Sequence, residues 1–214
     1  MGVAERKERD FRRREEDILA AALRLFDRDN WQDVTIEQIA QEAEIGKGTV
    51  YLHFPGKEEI YARLHLEFGR KLLIQLRGID SSLTVAEQMR RIIRVVFDHH
   101  LAAPSYRRVF HYCDRIDFRR MLAPPTQREL ERTEAEFGQI VDRLLQRGVR
   151  EGVFADRPLP VLLFTAHSAV VGALHQIEGG CLGETLPEGY IEELTRFVLG
   201  GLKHLGDSPA VATE

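Results

Sequence analysis

Apolar residues recur at helical spacing along almost the whole chain, and no stretch alternates apolar and polar residues for long enough to predict a strand. Between residues 13 and 28, for example, Ile18, Ala22 and Leu25 form one apolar stripe. Asn30 follows this stripe and tolerates the left-handed backbone that ends many helices. Repeated along the sequence, the pattern predicts an all-α fold of about nine helices.

Two short segments after the first helix are predicted to form a helix-turn-helix unit. Thr35, with Gln38 three residues later, has the pattern of a capping box at the start of the first segment. A break at residues 44–46 separates it from residues 47–54, and Pro55 ends the second segment. Longer helices are predicted from Lys57 onward, at residues 85–101, 105–113, 126–150, 158–177 and 187–205.

The composition is that of a folded protein, because 43% of the 214 residues are hydrophobic and 30% are charged. The formal net charge is -4, so bulk charge does not hold the molecule to nucleic acid and any such site must be local. Residues 1–14 lack the apolar stretch of a secretory signal, and Cys113 and Cys181 are too few for a disulfide framework. We therefore expect a cytoplasmic protein.

The most apolar segment, residues 161–177, contains no Asp, Glu, Lys or Arg. It is shorter than the ~20 residues that span a bilayer core, and it contains Thr165 and His167. We therefore expect a helix buried in protein and no membrane partner. A helix that is apolar nearly all round must be covered on every side, and a second copy of the chain can supply the cover. The last two helices are accordingly predicted to form a homodimer interface, rather than to pack only within one chain.

The second segment of the helix-turn-helix unit presents side chains suited to DNA. Val50 and Phe54, four residues apart, can face inward and anchor this helix. The other faces then carry a cation, a hydroxyl group, a phenol and an imidazole, which belong to Lys47, Thr49, Tyr51 and His53. Such groups bind phosphates and base edges, and Gly48 would let the backbone approach the duplex closely. Nearby acidic residues such as Glu37 are expected to point away from DNA.

Residues 35–60, which read TIEQIAQEAEIGKGTVYLHFPGKEEI, closely resemble the DNA-binding signature of TetR/AcrR-type transcriptional regulators. Residues 18–34 resemble the first helix of that family. The resemblance implies a homodimer with a DNA-binding domain at residues 1–56 and an effector-binding and dimerisation domain at residues 57–206. The small and polar residues 207–214 are expected to form a disordered tail.

This resemblance places the contacts to double-stranded operator DNA on the second short helix and on two residues where helices start. These residues are Thr35, Lys47, Gly48, Thr49, Tyr51, His53 and Lys57. Three positions depart from the usual family pattern. Glu44 stands where the family often has glycine, which would cost about 1 kcal/mol if the backbone is left-handed there. Gly46 replaces a frequent serine cap, and Asn30 replaces a frequent glycine.

A basic run at residues 6–14 precedes the first apolar stripe, with Glu8 and Asp10 inside it. It is compatible with a solvated helix face or with an arm that reaches phosphates or the minor groove beside the bound helix. The salt dependence of DNA binding distinguishes these two interpretations.

An effector site in such a fold should be a mostly apolar cavity between helices with a few polar groups. The candidate residues combine apolar and aromatic side chains with two histidines, and each of them can also be ordinary core. They are Phe97, His100, Leu101, Phe110, Cys113, Met121, Phe137, Ile140, Val141, Leu144, Phe164, His167 and Val171. This composition favours an apolar or aromatic small molecule.

The nearest candidate metal cluster consists of His99, His100, His111 and Cys113. The spacing of this cluster matches no zinc motif. Gly46 and Gly48 are not followed by the third glycine of a nucleotide-binding motif, and the sequence contains no Gly-x-Ser-x-Gly nucleophile elbow of a hydrolase. We therefore expect no metal, no cofactor and no catalytic residue.

The sequence predicts a one-component regulator, a repressor that its effector releases from the operator. The alternatives are an activator of the same fold and an all-helical enzyme or adaptor.

Overall fold

The computed structural model describes residues 2–27, 31–113, 115–181 and 186–204, and the all-α prediction is confirmed. These residues form ten α-helices and one 3-10 turn, Trp31–Asp33, without a strand. The helices are α1 (Val3–Phe26), α2 (Ile36–Glu42), α3 (Lys47–His53), α4 (Lys57–Arg77), α5 (Val85–Leu101), α6 (Pro104–Cys113), α7 (Ile116–Arg119), α8 (Pro124–Arg150), α9 (Leu159–Glu178) and α10 (Tyr190–His204). The sequence did not predict α7, because a single turn is too short to show helical periodicity.

Helix α1 begins at Val3, well before residue 13, where the sequence predicted its start. Its first turns contain good helix formers and charged pairs but few apolar residues, so the apolar stripe underestimates the length of the helix. Arg12 and Glu8, four residues apart, form an ion pair of 3.0 Å there. The basic run is therefore helical in the structure. Asn30, expected at the end of this helix, lies outside the described residues.

The start of α2 has the capping box that its sequence predicts. The backbone N–H of Gln38 donates to Thr35 Oγ1 at 3.2 Å, and the backbone N–H of Thr35 donates to Gln38 Oε1 at 2.8 Å. Each residue thus satisfies a backbone donor of the other at the helix end. The position at which the helix-turn-helix unit begins is confirmed.

The end of α2 is a Schellman motif built around a residue with a positive φ. The backbone N–H of Ile45 donates to the carbonyl of Ala40 at 2.9 Å, and that of Glu44 donates to the carbonyl of Gln41 at 3.0 Å. Glu44 adopts φ 55°, the left-handed region that favours glycine. The cost expected for a glutamate at this position therefore applies.

The chain divides into two compact units. The first consists of Met1–Gly69 and Ala103–Glu131, and the second of Arg70–Ala102 and Arg132–Glu214. These units are defined by packing, whereas the predicted domains at residues 1–56 and 57–206 are defined by function, so those boundaries stay predictions. The predicted tail at residues 207–214 lies outside the described residues.

The first unit packs α1, α2 and α3 in one core with the start of α4 and with residues from α6 to α8. Tyr61 of α4 is buried, and its ring centroid lies 4.7 Å from that of Phe26. Burial also raises the pKa of this phenol. Glu59, in the first turn of α4, accepts hydrogen bonds from the backbone N–H of Ala123 and the hydroxyl of Thr126, both at 2.7 Å. The start of α8 is thereby attached to α4.

The core of the second unit contains fully buried side chains from α5, α8 and α9, among them Val85, Leu145 and Leu162. Helix α10 packs against both α5 and α9. Gly148 of α8 lies against the buried ring of Phe154, and a Cβ at this glycine would overlap that ring. A glycine is required here by close packing, as is common where two segments approach each other.

Helix α9 is apolar but largely uncovered within the single chain. Only 22% of its most apolar window is buried, and Phe164 is 65% exposed. One chain therefore covers only part of this helix, and the expectation that a second copy covers the rest stays a prediction. By length and composition, α9 is also the one helix among the described residues that could cross a membrane.

Candidate nucleic-acid interface

Helix α3 is anchored as its spacing predicts. Val50 is fully buried and Phe54 is buried, and both belong to the core that also contains Ile39 of α2 and Ile18 of α1. Because these residues lie on one side of a two-turn helix, the opposite side faces away from the core. The first unit thus holds a short helix rigidly and presents its outer surface.

The outer surface of α3 carries most of the predicted contact residues. Lys47 and Gly48 are exposed, Tyr51 is 47% exposed, and Thr49 and His53 are half-buried. The ammonium of Lys47 lies 5.7 Å from the centroid of the Tyr51 ring, a cation–π arrangement. A cation, a phenol and an imidazole are thus displayed together on one short helix.

Lys47 is already paired in the structure. Its ammonium donates a hydrogen bond to the Glu37 carboxylate of α2, and both side chains are exposed. This bond raises the pKa of Lys47 and lowers that of Glu37. Glu37 therefore lies beside a predicted DNA contact, and the expectation that it points away from DNA stays a prediction. The periodicity of each helix could not predict this ion pair, because its two residues lie on different helices.

His53 is fixed from the side of α1. Its ring centroid lies 4.0 Å from that of Phe11, and its Nδ1 is buried without a hydrogen-bond partner among the described residues. Nε2 is consequently the ring nitrogen that can reach a group outside the protein. Phe11, which the sequence did not single out, orients this imidazole.

Thr35 and Lys57 flank the unit at the starts of α2 and α4. The hydroxyl of Thr35 takes part in the capping box, whereas the ammonium of Lys57 donates to the carbonyl of Gln32 at 2.7 Å. Lys57 also lies 5.6 Å from the centroid of the Tyr61 ring. An ammonium has three donors, so this bond leaves others available for a phosphate.

Two features of α3 are not required by packing among the residues that the structure describes. A Cβ placed on Gly48 would meet nothing within 4 Å, so the fold does not require glycine there. Leu52 is 72% exposed, and the predicted contact set omits it. Its helical position, two residues after Val50, could have identified it as outward-facing.

The basic run on α1 is only partly neutralised. Arg12 pairs with Glu8, and Arg14 pairs with Asp17 at 3.4 Å. The basic residues of this run that form no ion pair within the described part of the chain are Arg6, Lys7, Arg9 and Arg13. These four side chains are exposed on the first half of α1, as is the carboxylate of Asp10.

The predicted effector residues are distributed over both compact units. Phe110, Cys113 and Met121 belong to the first unit, where Cys113 is buried and Met121 is exposed. Those of the second unit range from buried to exposed. Phe97, His100, Val141 and Leu144 are buried, Leu101, Phe137, Ile140 and Val171 are half-buried, and Phe164 and His167 are exposed.

A cleft of about 250 Å³ in the second unit includes two of these residues, Ile140 and Leu144. Ile92 adds to its apolar wall. Arg77 and Arg143 also line it, and the sequence did not single out either arginine. Arg77 pairs with Glu136 at 2.6 Å. The cleft thus combines an apolar wall with cationic groups.

The candidate metal cluster does not assemble in the part of the chain that the structure describes. No group of three or more His, Cys, Asp or Glu residues is placed there to hold a metal ion. Gln75 Nε2 lies 3.3 Å from Nδ1 of His99, and His100 is buried. The side chain of His111 lies outside the described residues.

A short exposed helix, anchored by two core residues and joined to a preceding helix by a tight turn, defines a helix-turn-helix protein. Residues 18–64 match the family described as bacterial regulatory proteins, tetR family. An uncharacterized HTH-type transcriptional regulator of Bacillus subtilis, YuxN, is 26% identical over 87 residues. That match covers 38% of this chain and 30% of the relative, so the chain spans less than two thirds of this relative's length.

Solved structures extend the likeness in fold to nearly the whole chain. A tetR-family regulatory protein from Rhodococcus RHA1 has a TM-score of 0.71 at 17% identity, covering 88% of this chain and 96% of its own. The fatty acid degradation regulator FadR from Bacillus halodurans has a TM-score of 0.70 at 17% identity, and the match covers 89% of this chain and 97% of that protein. Residues 18–64 thus match the tetR family, and the chain has the fold of solved TetR-family structures. The resemblance to TetR/AcrR-type regulators is confirmed, and this is the fold of DNA-binding transcriptional regulators.

Proposed function

We propose that the protein is a one-component repressor that binds operator DNA as a homodimer and leaves it when a small molecule binds the C-terminal helices. The observation that carries this proposal is the surface of α3, where Lys47, Gly48 and Tyr51 are displayed above the buried anchor formed by Val50 and Phe54. Phosphates and base edges are the partners that such groups suit.

The homodimer is inferred from the uncovered apolar surface of α9 and α10. Phe164 on α9 and Phe197 on α10 are 65% and 72% exposed. Large exposed apolar surfaces mark sites of association. A two-fold interface built from the last two helices would cover these rings, and it would allow two recognition helices to read major grooves about 34 to 36 Å apart.

The effector is inferred from the cleft that Arg77 and Arg143 line. Its apolar wall suits a hydrocarbon or aromatic body, and an arginine binds a carboxylate or phosphate through two hydrogen bonds. An effector acid would compete with Glu136 for Arg77. The fold is shared with a fatty acid degradation regulator, so long-chain acids are the first effector class to test.

Helix α4 offers a route from effector to DNA. It starts at Lys57, directly after the helix-turn-helix unit, and it ends at Arg77, which lines the cleft. A ligand that changes the tilt of this helix would change the spacing of the two recognition helices. The ligand need only bind the DNA-incompetent state a few kcal/mol more tightly than the DNA-binding state. A difference of about 5 kcal/mol in binding free energy gives a nearly complete switch.

The direct test is fluorescence anisotropy with duplex DNA from upstream of the protein's own gene and with a shuffled duplex of the same composition. We expect preferential binding to the first duplex that Tyr51→Ala abolishes while helicity is unchanged. Equal affinity for both duplexes would direct the search to another operator, and absence of binding at low salt would contradict the proposal. Reporter transcription from the bound site falls for a repressor and rises for an activator.

A further inference from the structure

The outer surface of α3 carries an apolar side chain that phosphate contacts do not explain. Leu52 is 72% exposed, considerably more than its neighbour Tyr51 at 47%. An exposed leucine is ordinary on a protein surface, so exposure by itself carries no conclusion. The position of Leu52 on this particular helix is what distinguishes it.

Leu52 lies on the ridge of α3 that points directly away from the core. At 3.6 residues per turn it is about 200° around the helix from Val50, the fully buried anchor. Gly48, four residues earlier, lies on the same face. Side chains on a helix lean toward its N-terminus, so the Leu52 side chain extends toward the open surface of Gly48. Thr49 and Tyr51 lie on the two flanks of this ridge.

We propose that Leu52 reads sequence by contacting the 5-methyl group of a thymine in the major groove, an inference that rests on the proposed function. When this ridge faces the base pairs in the major groove, the polar groups of Thr49 and Tyr51 on its flanks face the phosphates on either side of the groove. Phosphate contacts position a protein but carry no sequence information, whereas the thymine methyl is the apolar feature of the major groove. A leucine has no donor or acceptor for the polar base edges, so thymine is the base that suits it best.

The test uses a duplex that the wild-type protein enriches from a random-sequence pool. Each thymine in it is replaced in turn by uracil, which removes the 5-methyl group and keeps the base-pairing and groove hydrogen bonds. We expect one thymine in each half-site at which this replacement weakens wild-type binding about fourfold, the weight of one buried methyl group. Leu52→Ala should bind the thymine duplex more weakly and should be indifferent to uracil at that position.

Two further variants address which side chain reads the methyl group and whether the fold survives. Leu52→Gln keeps the length of the side chain and removes its apolar end, so it should also lose uracil sensitivity. Ile74→Ala removes an apolar side chain of similar exposure, 68%, from α4. This variant should keep the uracil sensitivity of the wild type. Circular dichroism of each variant should match that of the wild type, because Leu52 and Ile74 contribute little to any core.

Three outcomes would overturn the inference. The first is specific wild-type binding without any uracil-sensitive thymine. The second is a Leu52→Ala variant that keeps the uracil sensitivity of the wild type, which would assign the contact to another residue. The third is a Leu52→Ala variant that binds the thymine duplex as tightly as the wild type. If the wild type enriches no sequence from the pool, the proposed function fails first, and that result is separate from all three.

Discussion

Glu37 of α2 and Lys47, the first residue of α3, form an ion pair across the two helices of the helix-turn-helix unit. Both side chains are exposed, so the pair contributes little to stability. Its consequence lies in binding, because a phosphate must compete with the carboxylate for the ammonium and is repelled by it. In the free protein, the Glu37 carboxylate thus pairs with an ammonium that is predicted to contact DNA.

Glu37→Gln should therefore strengthen DNA binding by roughly fivefold, the effect of one like-charge contact at a water-exposed distance. The gain should apply to specific and shuffled duplexes alike, because phosphates carry no sequence information. Fluorescence anisotropy at near-physiological salt measures it. Glu188→Gln removes an exposed carboxylate from the second compact unit and serves as the matched control. Unchanged affinity in Glu37→Gln would show that the carboxylate does not compete.

Gly48 provides a test in which stability and DNA binding change in opposite directions. Gly48→Ala should raise the free energy of unfolding by about 0.5 kcal/mol, because alanine favours the helix and a Cβ there meets nothing within 4 Å. The added methyl should weaken DNA binding about tenfold by holding the backbone away from the duplex. Gly138→Ala, at an equally open position in α8, should be stabilising without an effect on DNA affinity. Wild-type affinity in Gly48→Ala would exclude close approach at this glycine.

The backbone of Glu44 predicts that this helix-turn-helix unit is less stable than it could be. Because φ is 55° there, Glu44→Gly should raise the free energy of unfolding by about 1 kcal/mol. Urea unfolding monitored by circular dichroism measures the change. Glu44→Ala removes the same carboxylate but keeps a Cβ, so it should not stabilise the protein. Equal stabilisation by both variants would indicate that charge, rather than backbone strain, is responsible.

The features that follow from spacing within one segment could be predicted from the sequence. The capping box at Thr35 and the buried anchor formed by Val50 and Phe54 are examples, because the residues involved lie within about one turn of each other. Glu44 was recognisable as a site of strain from the resemblance, because it stands where the family often has glycine. Each of these features is local in sequence, and the structure confirms it.

The features that could not be predicted depend on groups distant in sequence or on the absence of apolar residues. The pairing of Glu37 with Lys47 and the stacking of His53 on Phe11 join different helices. The first turns of α1 have charged rather than apolar residues, so their helical structure leaves no apolar stripe. Leu52 was not predicted as a DNA contact because it has no polar group. The prediction selected polar side chains that bind phosphates and base edges, whereas the thymine methyl group is an apolar partner.

The helical basic run on α1 predicts a measurable salt dependence. Arg6, Lys7 and Arg9 form no ion pair in the described part of the chain, and we expect them to bind phosphates. Replacing all three by glutamine should lower the slope of log affinity against log salt by about 0.9 for each phosphate that is no longer neutralised. Glutamine retains helix propensity, so the fold should be unaffected. An unchanged slope would assign these side chains to a solvated face.

The exposed ring of Phe197 tests whether the apolar surface of the last two helices is a dimer interface. Phe197→Glu should give a monomer in light scattering at micromolar concentration, because a charge buried in an apolar interface costs several kcal/mol. A ring that is 72% exposed contributes little to the fold of one chain, so the variant should keep its helicity while it loses operator affinity. Ile74→Glu places the same charge on a 68% exposed apolar position of α4 and should remain dimeric. A dimeric Phe197→Glu, or a monomeric wild type, would assign this surface to a different partner.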